Sequence, residues 1–99
     1  MQPTVFKKQT ALIYLTGTLS CAPGEAGAVR AALPAHVRLT RAEPGCASFD
    51  IAETAPGVFA VSEAFNDRAA FEAHQTRTRA SAWWRITGHM ARDFRLDGA

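Results

Sequence analysis

Two side chains of this sequence have a type and a position that could support proton transfer. Glu63 lies in the stretch "VFAVSEAF", where every second position around it is a large apolar residue, so its carboxylate shares a predicted strand face with apolar side chains. His74 follows Phe71 by three residues, which places both on one face of a predicted helix. An imidazole can accept or hold a proton near neutral pH, and a nearby carboxylate can orient it or act as the base itself.

Both residues also have structural interpretations. His74 could be a core histidine with satisfied hydrogen bonds, and Glu63 could cap a helix or pair with an arginine. His36 and His89 are expected at the surface. The arginines of the C-terminal third are expected to form a solvated face, or to line the mouth of a pocket for an anionic substrate. They are Arg77, Arg79, Arg85, Arg92 and Arg95.

The first half of the chain predicts a strand followed by a helix. Residues 11–19, "ALIYLTGTL", are rich in β-branched and aromatic types and predict the first strand. From 25 to 43, apolar residues recur every four positions, which predicts a helix. Pro34 lies inside this helix and removes a backbone hydrogen bond, so we expect a kink there or two short helices end to end.

The second half predicts two strands, helical segments and a last strand. Pro-Gly ends the first helix, and "CASFDIAE" (46–53) then alternates as a strand. The turn "TAPG" leads to a third strand at 58–65. A helix begins at 66–67, where Asn and Asp can cap free amides, and "SAWWRITGHM" continues helically. Residues 92–96 predict a short last strand. The order β-α-β-β-α-β predicts an α+β fold of the ferredoxin-like, split-βαβ class, with one four-stranded antiparallel sheet.

The predicted sheet carries helices on one face only. The side chains of the strand at 46–53 alternate between two faces. One face carries Ala47, Phe49 and Ile51, and the other carries Cys46, Ser48 and Asp50. An exposed apolar sheet face is normally covered by a partner. We therefore expect a homodimer that pairs sheet to sheet.

Length and composition restrict the class of protein. The 99 residues predict a single domain over 1–99, with 1–10 as a flexible or extended N-terminal segment. With 47% apolar residues the chain is too hydrophobic for disorder, and a net charge of +2 is well short of a nucleic-acid-binding tail. No apolar run is long enough to span a bilayer and no signal peptide is evident, so we expect a cytoplasmic protein without membrane or nucleic-acid partners.

The cysteines predict neither a metal site nor a disulfide. Cys21 and Cys46 match no zinc or redox spacing, and no phosphate-binding glycine motif is present. In the predicted sheet the third strand lies between the first two, so the two cysteines should be about 9–10 Å apart, which exceeds disulfide reach. We expect free thiols.

Three motifs between residues 33 and 84 carry a resemblance to a known family. They are an E-P-G-C turn before an aromatic strand ("RAEPGCASFDI"), a strand that ends in E-x-F-x-D, and a helix with A-x-x-A-H ("FAVSEAFNDRAAFEAHQTRTRASAWW"). With these motifs, over about half of its length, the chain resembles the antibiotic biosynthesis monooxygenase domain family. That family consists of small dimeric α/β-barrel proteins, so the resemblance implies a dimeric α/β barrel.

The resemblance also implies a reaction. Members oxygenate an electron-rich aromatic, such as a quinol or an anthrone, with molecular oxygen and without flavin or metal, so no cofactor is expected. The substrate loses a proton and the resulting anion reduces oxygen directly. His74 and Glu63 are then the candidate catalytic residues. The candidate walls of a pocket for a small aromatic substrate are Phe49, Phe65, Phe71, Trp83 and Trp84.

Two alternatives remain within the same fold. The haem-degrading branch pairs a histidine ligand with an asparagine on the first strand, but "ALIYLTGTL" has no asparagine and Asn66 lies at a helix start. The other alternative is a non-catalytic dimeric module that binds a ligand or a partner. An enclosed cavity lined by His74 and tryptophan would favour the enzyme, whereas a filled core would favour the non-catalytic module.

Overall fold

The computed structural model describes residues 12–98. In chain order the elements are β1 (Ile13–Ser20), a short 3-10 helix (Pro23–Glu25), α1 (Ala26–Arg41), β2 (Cys46–Ala55), β3 (Val58–Phe65), α2 (Arg68–Arg79), α3 (Ala82–Thr87) and β4 (Ala91–Gly98). The strands form one antiparallel sheet in the order β2-β3-β1-β4. The predicted ferredoxin-like α+β fold is confirmed. The segment 1–10, expected to be flexible or extended, lies outside the described residues.

The helix α1 runs through Pro34 as a single element. The expected division into two short helices is therefore not found. Its buried side chains, Ala26, Val29, His36 and Thr40, recur at intervals of three, seven and four residues and face β2 and α3. Burial of this face offsets the roughly 3 kcal/mol that an interior proline costs a helix. No helix among residues 12–98 is long and apolar enough to cross a bilayer.

The strand register places the apolar side chains on the face that the helices cover. Leu15 of β1 and Phe49 of β2 both lie opposite Glu63 of β3, so the three side chains share this inner face. Two core clusters form on it. One contains Ile13, Leu15, Phe49, Val61, Phe65 and Phe71, and the other contains Leu19, Val29, Phe59, Trp83 and Met90.

The outer face of the sheet is largely polar. One row across it consists of Asp50, Ser62, Thr16 and Arg95, all of them exposed. Tyr14, a large aromatic side chain on this face, is 46% exposed. The expectation that the uncovered face would be apolar is wrong, because most of the large apolar side chains of β1, β2 and β3 lie on the helix side.

The turn between α1 and β2 holds the start of α2 close to the sheet. A Cβ atom on Gly45 would lie 2.2 Å from the Cβ atom of Ala70, so only glycine permits this approach. The backbone amide of Asn66 donates a hydrogen bond to the Gly45 carbonyl at 2.8 Å. Asp67 then caps α2 by accepting a hydrogen bond from the Ala70 amide at 2.8 Å. These contacts bring the turn residue Glu43 beside α2.

A bulge at the start of β2 changes the predicted alternation. Cys46 lies opposite Phe65 and Ser48 lies opposite Ala64, so Ala47 is the additional residue. Cys46 therefore packs against the core and Ala47 is exposed, which reverses the prediction for these two residues.

Both cysteines are free, as expected, but the predicted distance between them is wrong. Cys21 follows Ser20, which pairs with Val58, whereas Cys46 pairs with Phe65 at the other end of β3. Seven residue steps along β3 separate these two positions, which corresponds to about 23 Å. The parallel direction of β1 and β2 produces this separation, and the prediction considered only the spacing between strands.

Candidate functional site

A cavity of about 200 Å³ lies between the inner face of the sheet and the helices. Its walls combine apolar and aromatic side chains with almost as many polar or charged ones. The lining residues used below are Phe49, Glu63, His36, His74, Trp83, Trp84 and Arg92. His74, Trp83 and Trp84, which the sequence analysis named as candidate site residues, all line this cavity.

His74 lies on the buried face of α2 and is held by a carboxylate outside that helix. Its Nδ1 atom lies 2.9 Å from Glu43 Oε1. A carboxylate can only accept, so Nδ1 carries the hydrogen and Nε2 has a free lone pair. Thr78 Oγ1 lies 3.4 Å from that Nε2 atom. Burial lowers the pKa of His74, while the charge and hydrogen bond of Glu43 act in the opposite direction.

Glu43 is itself fixed by an arginine. Arg77, one turn after His74 on α2, donates a hydrogen bond from Nε to Glu43 Oε2, and its NH2 group donates to Thr40 Oγ1 at 3.0 Å. This arrangement of Arg77, Glu43 and His74 holds the imidazole in one tautomer and one orientation, as the third member of a catalytic triad does.

Glu63 faces His74 from the sheet but forms no hydrogen bond with it. Its Oε1 atom lies 3.7 Å from His74 Nε2, which is beyond hydrogen-bond distance. The same oxygen is buried and has no hydrogen-bond partner among the described residues. Burial raises the pKa of Glu63 to about 7, and the negative charge of Glu43 adds to the effect. In this structure Glu43, and not Glu63, forms the hydrogen bond that orients His74.

His36 is the main correction to the predicted site. We expected it at the surface, but it is only 5% exposed. Its ring stacks on Trp83 with centroids 4.5 Å apart and an interplanar angle of 3°. Burial lowers the pKa of His36 to about 3, with smaller contributions from His74, Arg77 and Arg92. The position was recognisable from its spacing, because His36 lies seven residues after Val29 and four before Thr40 on the buried face of α1.

The arginines of the C-terminal third lie in different environments. Arg92 lines the cavity, donates hydrogen bonds to Thr87 through both NH groups, and lies 4.7 Å from the Trp84 ring centroid. Arg79 also lines the cavity. Arg85 and Arg95 are exposed, as a solvated face predicts. His89 is exposed as expected and pairs with Glu25 Oε2 at 2.6 Å.

The five aromatic residues predicted as pocket walls do not all reach the cavity. Phe49, Trp83 and Trp84 line the cavity. Phe65 and Phe71 lie in the core cluster behind it, where the Phe65 ring centroid is 4.8 Å from that of His74. Sequence reasoning did not identify Glu43 as a site residue, although Glu43 is the first residue of the E-P-G-C motif.

The arrangement can perform acid–base chemistry on a small ligand. One carboxylate holds the imidazole, burial raises the pKa of a second carboxyl to about 7, and aromatic side chains form part of the cavity wall. Among residues 12–98, no group of three or more histidine, cysteine or acidic side chains has a geometry that could hold a metal ion.

The raised pKa of Glu63 predicts a pH-dependent stability. The folded protein binds this proton more tightly than the unfolded chain, whose glutamate pKa is about 4.3. The contribution of Glu63 is therefore complete below that value and is lost as the pH rises to about 7. Relative to wild type, Glu63→Gln should gain about 2–3 kcal/mol in unfolding free energy between pH 5 and pH 8.

Urea denaturation at the two pH values measures this gain. Because His36 and His74 have lowered pKa values and produce the opposite slope, the comparison uses the difference between variant and wild type. Glu72→Gln, on the exposed side of α2, serves as the control and should show no such difference. An equal stability difference at both pH values would contradict an elevated pKa at Glu63.

Comparison with solved structures supports the fold. Rv0793 from Mycobacterium tuberculosis is 25% identical, with a TM-score of 0.71 and coverage of 89% of this chain and 94% of that one. NE2512, a protein of unknown function from Nitrosomonas europaea, is 22% identical, with a TM-score of 0.76 and coverage of 92% and 91%. MupZ from Pseudomonas fluorescens is 13% identical, with a TM-score of 0.78 and coverage of 90% and 69%. No curated protein matches the chain significantly.

The sequence also matches a protein-family model. The model described as antibiotic biosynthesis monooxygenase matches residues 12–85. This range begins just before β1 and ends within α3, so it includes Glu43, Glu63 and His74 and most of the cavity wall. The match covers well over half of the chain, and the chain therefore belongs to the antibiotic biosynthesis monooxygenase family.

Proposed function

We propose that this protein is a cofactor-independent, monooxygenase-type enzyme that oxidises a small electron-rich aromatic, such as a quinol or an anthrone, with molecular oxygen. One oxygen atom enters the substrate and the other leaves as water, with two hydrogens taken from the substrate. The observation that carries the proposal is the pairing of His74 with Glu43 inside this cavity, with the Nε2 atom free of a strong hydrogen bond.

The first step is proton removal from a substrate hydroxyl or an acidic C–H group. His74 accepts this proton at Nε2, and Glu43 stabilises the imidazolium that forms, as a buried carboxylate does in acyl-transfer triads. Glu63, with a pKa of about 7, can return a proton to the oxygenated intermediate. Removing the hydroxyl proton produces an anion electron-rich enough to reduce oxygen directly.

The cavity wall then protects the anion. Phe49, Trp83 and Trp84 exclude water, which strengthens electrostatic interactions inside the site. Arg92 supplies a positive charge at the wall, where the guanidinium is already fixed by Thr87 and Trp84. A fixed charge costs no reorganisation when the substrate ionises.

Oxygen uptake with a panel of quinols and anthrones tests the proposal. The cavity of about 200 Å³ is smaller than the 300–1,000 Å³ usual for drug-sized ligands, so one-ring quinols should react in preference to three-ring anthrones. With ¹⁸O₂, mass spectrometry should find one labelled oxygen atom in the product. Uptake no faster than in buffer, together with measurable ligand binding, would instead indicate a non-catalytic binding module.

We also propose a homodimer that forms through the sheet faces and a cytoplasmic location. No helix among residues 12–98 covers the outer face of the sheet, and Tyr14 is half-exposed there. Light scattering at micromolar concentration should give twice the subunit mass, and Tyr14→Arg should shift the protein towards monomer. A wild-type monomer would contradict this assembly.

A further inference from the structure

His36 has a buried ring nitrogen without a hydrogen-bond partner. The residue is 5% exposed, and its Nδ1 atom contacts no polar atom of the described residues at hydrogen-bond distance. Buried polar atoms are nearly always paired, since leaving one unpaired costs free energy. A phenylalanine would fill the same space without that cost. The imidazole at this position therefore requires an explanation beyond packing.

The ring of His36 is held in place from two sides. It stacks on Trp83 of α3 at 4.5 Å, and it meets Phe49 of β2 edge to face at 5.4 Å and 84°. Its centroid is 6.2 Å from that of His74. These contacts fix the plane of the imidazole without using either nitrogen, which preorganises the polar atoms for a ligand.

A second unpaired atom belongs to the same cavity. Glu63 Oε1 is also buried without a partner among the described residues, and both Glu63 and His36 line this cavity. Glu63 is carried by the sheet and His36 by α1, so the two side chains reach the cavity from opposite layers of the fold. A ligand between the layers could satisfy both atoms if it carried two polar groups.

We propose that His36 is a substrate-binding residue that accepts a hydrogen bond, through Nδ1, from the second hydroxyl of an aromatic diol whose first hydroxyl lies at Glu63 and His74. The inference rests on the proposed function in taking this cavity as the substrate site. It assigns His36 to recognition and leaves proton transfer to the His74 side of the cavity.

The chemistry of a neutral imidazole restricts what it can bind. With its pKa near 3, His36 is uncharged at neutral pH, and Nδ1 accepts when the hydrogen is on Nε2. In that tautomer, which the proposal assigns to His36, Nδ1 pairs with a donor on the ligand and discriminates against an ether or a carboxylate at the same point. The cavity is expected to select a diol over its monomethyl ether.

Calorimetric titration with resorcinol and 3-methoxyphenol tests this selection. Resorcinol has two hydroxyls in a meta arrangement that does not yield a simple quinone, so binding is measured without turnover. Wild type should bind resorcinol about 3- to 10-fold more tightly than the ether, the range for one neutral hydrogen bond. His36→Phe retains a ring to stack on Trp83 and should weaken resorcinol binding by that factor, while leaving the ether unaffected.

A second measurement does not depend on the variant folding. In wild-type protein labelled with ¹⁵N, the Nδ1 resonance of His36 should move when resorcinol is added and should move less with the ether. His89→Phe, at an exposed position, is the matched control and should leave both affinities unchanged. Absence of resorcinol binding, an unmoved His36 resonance, or full selectivity in His36→Phe would each overturn the proposal.

The two binding measurements can be interpreted independently of the proposed oxygenase reaction, because neither of them measures oxygen uptake. A protein that binds resorcinol through His36 but consumes no oxygen with any quinol would support this assignment and contradict the proposed reaction. Oxygen uptake that His36→Phe leaves unchanged in turnover and KM, with no diol selectivity, would support the reaction and overturn the role of His36.

Discussion

Replacing His74 with alanine is expected to lower turnover by about 10²–10⁴-fold, the usual loss when a general acid or base is removed. The imidazole is 3% exposed, it is held at Nδ1 by Glu43, and its other nitrogen is directed towards Glu63 and Thr78. The substitution keeps the aromatic walls of the cavity but removes the group positioned to accept the substrate proton. Oxygen uptake with the best quinol of the panel, at saturating concentration, measures the effect.

Melting temperature on the same samples separates catalysis from folding. If His74 were only a core residue, the substitution would destabilise the protein by about 1–3 kcal/mol and leave the activity per folded molecule unchanged. His89→Ala provides a matched histidine control, because His89 is exposed and pairs with Glu25 outside the cavity. A folded, fully active His74→Ala would remove the histidine from the mechanism.

Glu43→Gln addresses the positioning residue independently. The amide keeps the size of the side chain but loses the negative charge that holds the Nδ1 hydrogen and pairs with Arg77. Since that charge acts to raise the pKa of His74, its loss should move the acid-side limb of the pH–rate profile to lower pH as well as reduce turnover. If the acid-side limb stays at the same pH in Glu43→Gln, Glu43 has only a structural role.

Gly17→Ala is expected to destabilise the fold by about 2–5 kcal/mol. Gly17 lies in the middle of β1 with φ +148°, a backbone conformation that other residues adopt rarely. A Cβ atom there would lie 2.0 Å from the Asp93 carbonyl oxygen and 2.9 Å from the Phe94 ring. Because both neighbours belong to β4, the substitution should displace the strand that carries Arg92 and Phe94 into the cavity wall.

Urea denaturation of Gly17→Ala and Gly27→Ala provides the comparison. Gly27 lies in α1, and a Cβ atom added there would have no neighbour within 4 Å, so alanine should stabilise the protein by up to about 1 kcal/mol through helix propensity. The two substitutions make the same chemical change and differ only in backbone angle and space. A Gly17→Ala protein as stable as wild type would show that β1 can relax around a side chain.

Local sequence patterns were sufficient to predict the order and type of the secondary-structure elements. The alternation around Glu63 and the three-residue step from Phe71 to His74 each identified the buried face of its element correctly. These predictions succeeded because the side-chain period of a strand or helix depends only on backbone geometry. Applied to α1, the same rule considered only the apolar residues, so it did not include His36, which shares the buried face with Val29 and Thr40.

Periodicity rules could not predict contacts between residues that are far apart in the sequence. Glu43 reaches His74 across 31 residues and Arg77 across 34, because Gly45 allows the turn after α1 to approach the start of α2 closely. The pairing predicted instead, between Glu63 and His74, has the right residues on the same cavity but a separation of 3.7 Å. Because β3 directly precedes α2 in the sequence, the prediction paired His74 with Glu63 rather than with Glu43.

The order of amino acids was enough to predict the element order, the helix that carries His74, the strand face that carries Glu63 and, through its motifs, the family. The folded arrangement was needed to show that the cavity lies on the helix side of the sheet, that the outer face is polar, and that His36 and Glu43 belong to the site. The physical reason is that periodicity specifies which residues share a face, whereas the partners of that face depend on register, chain direction and close approaches such as those at Gly17 and Gly45.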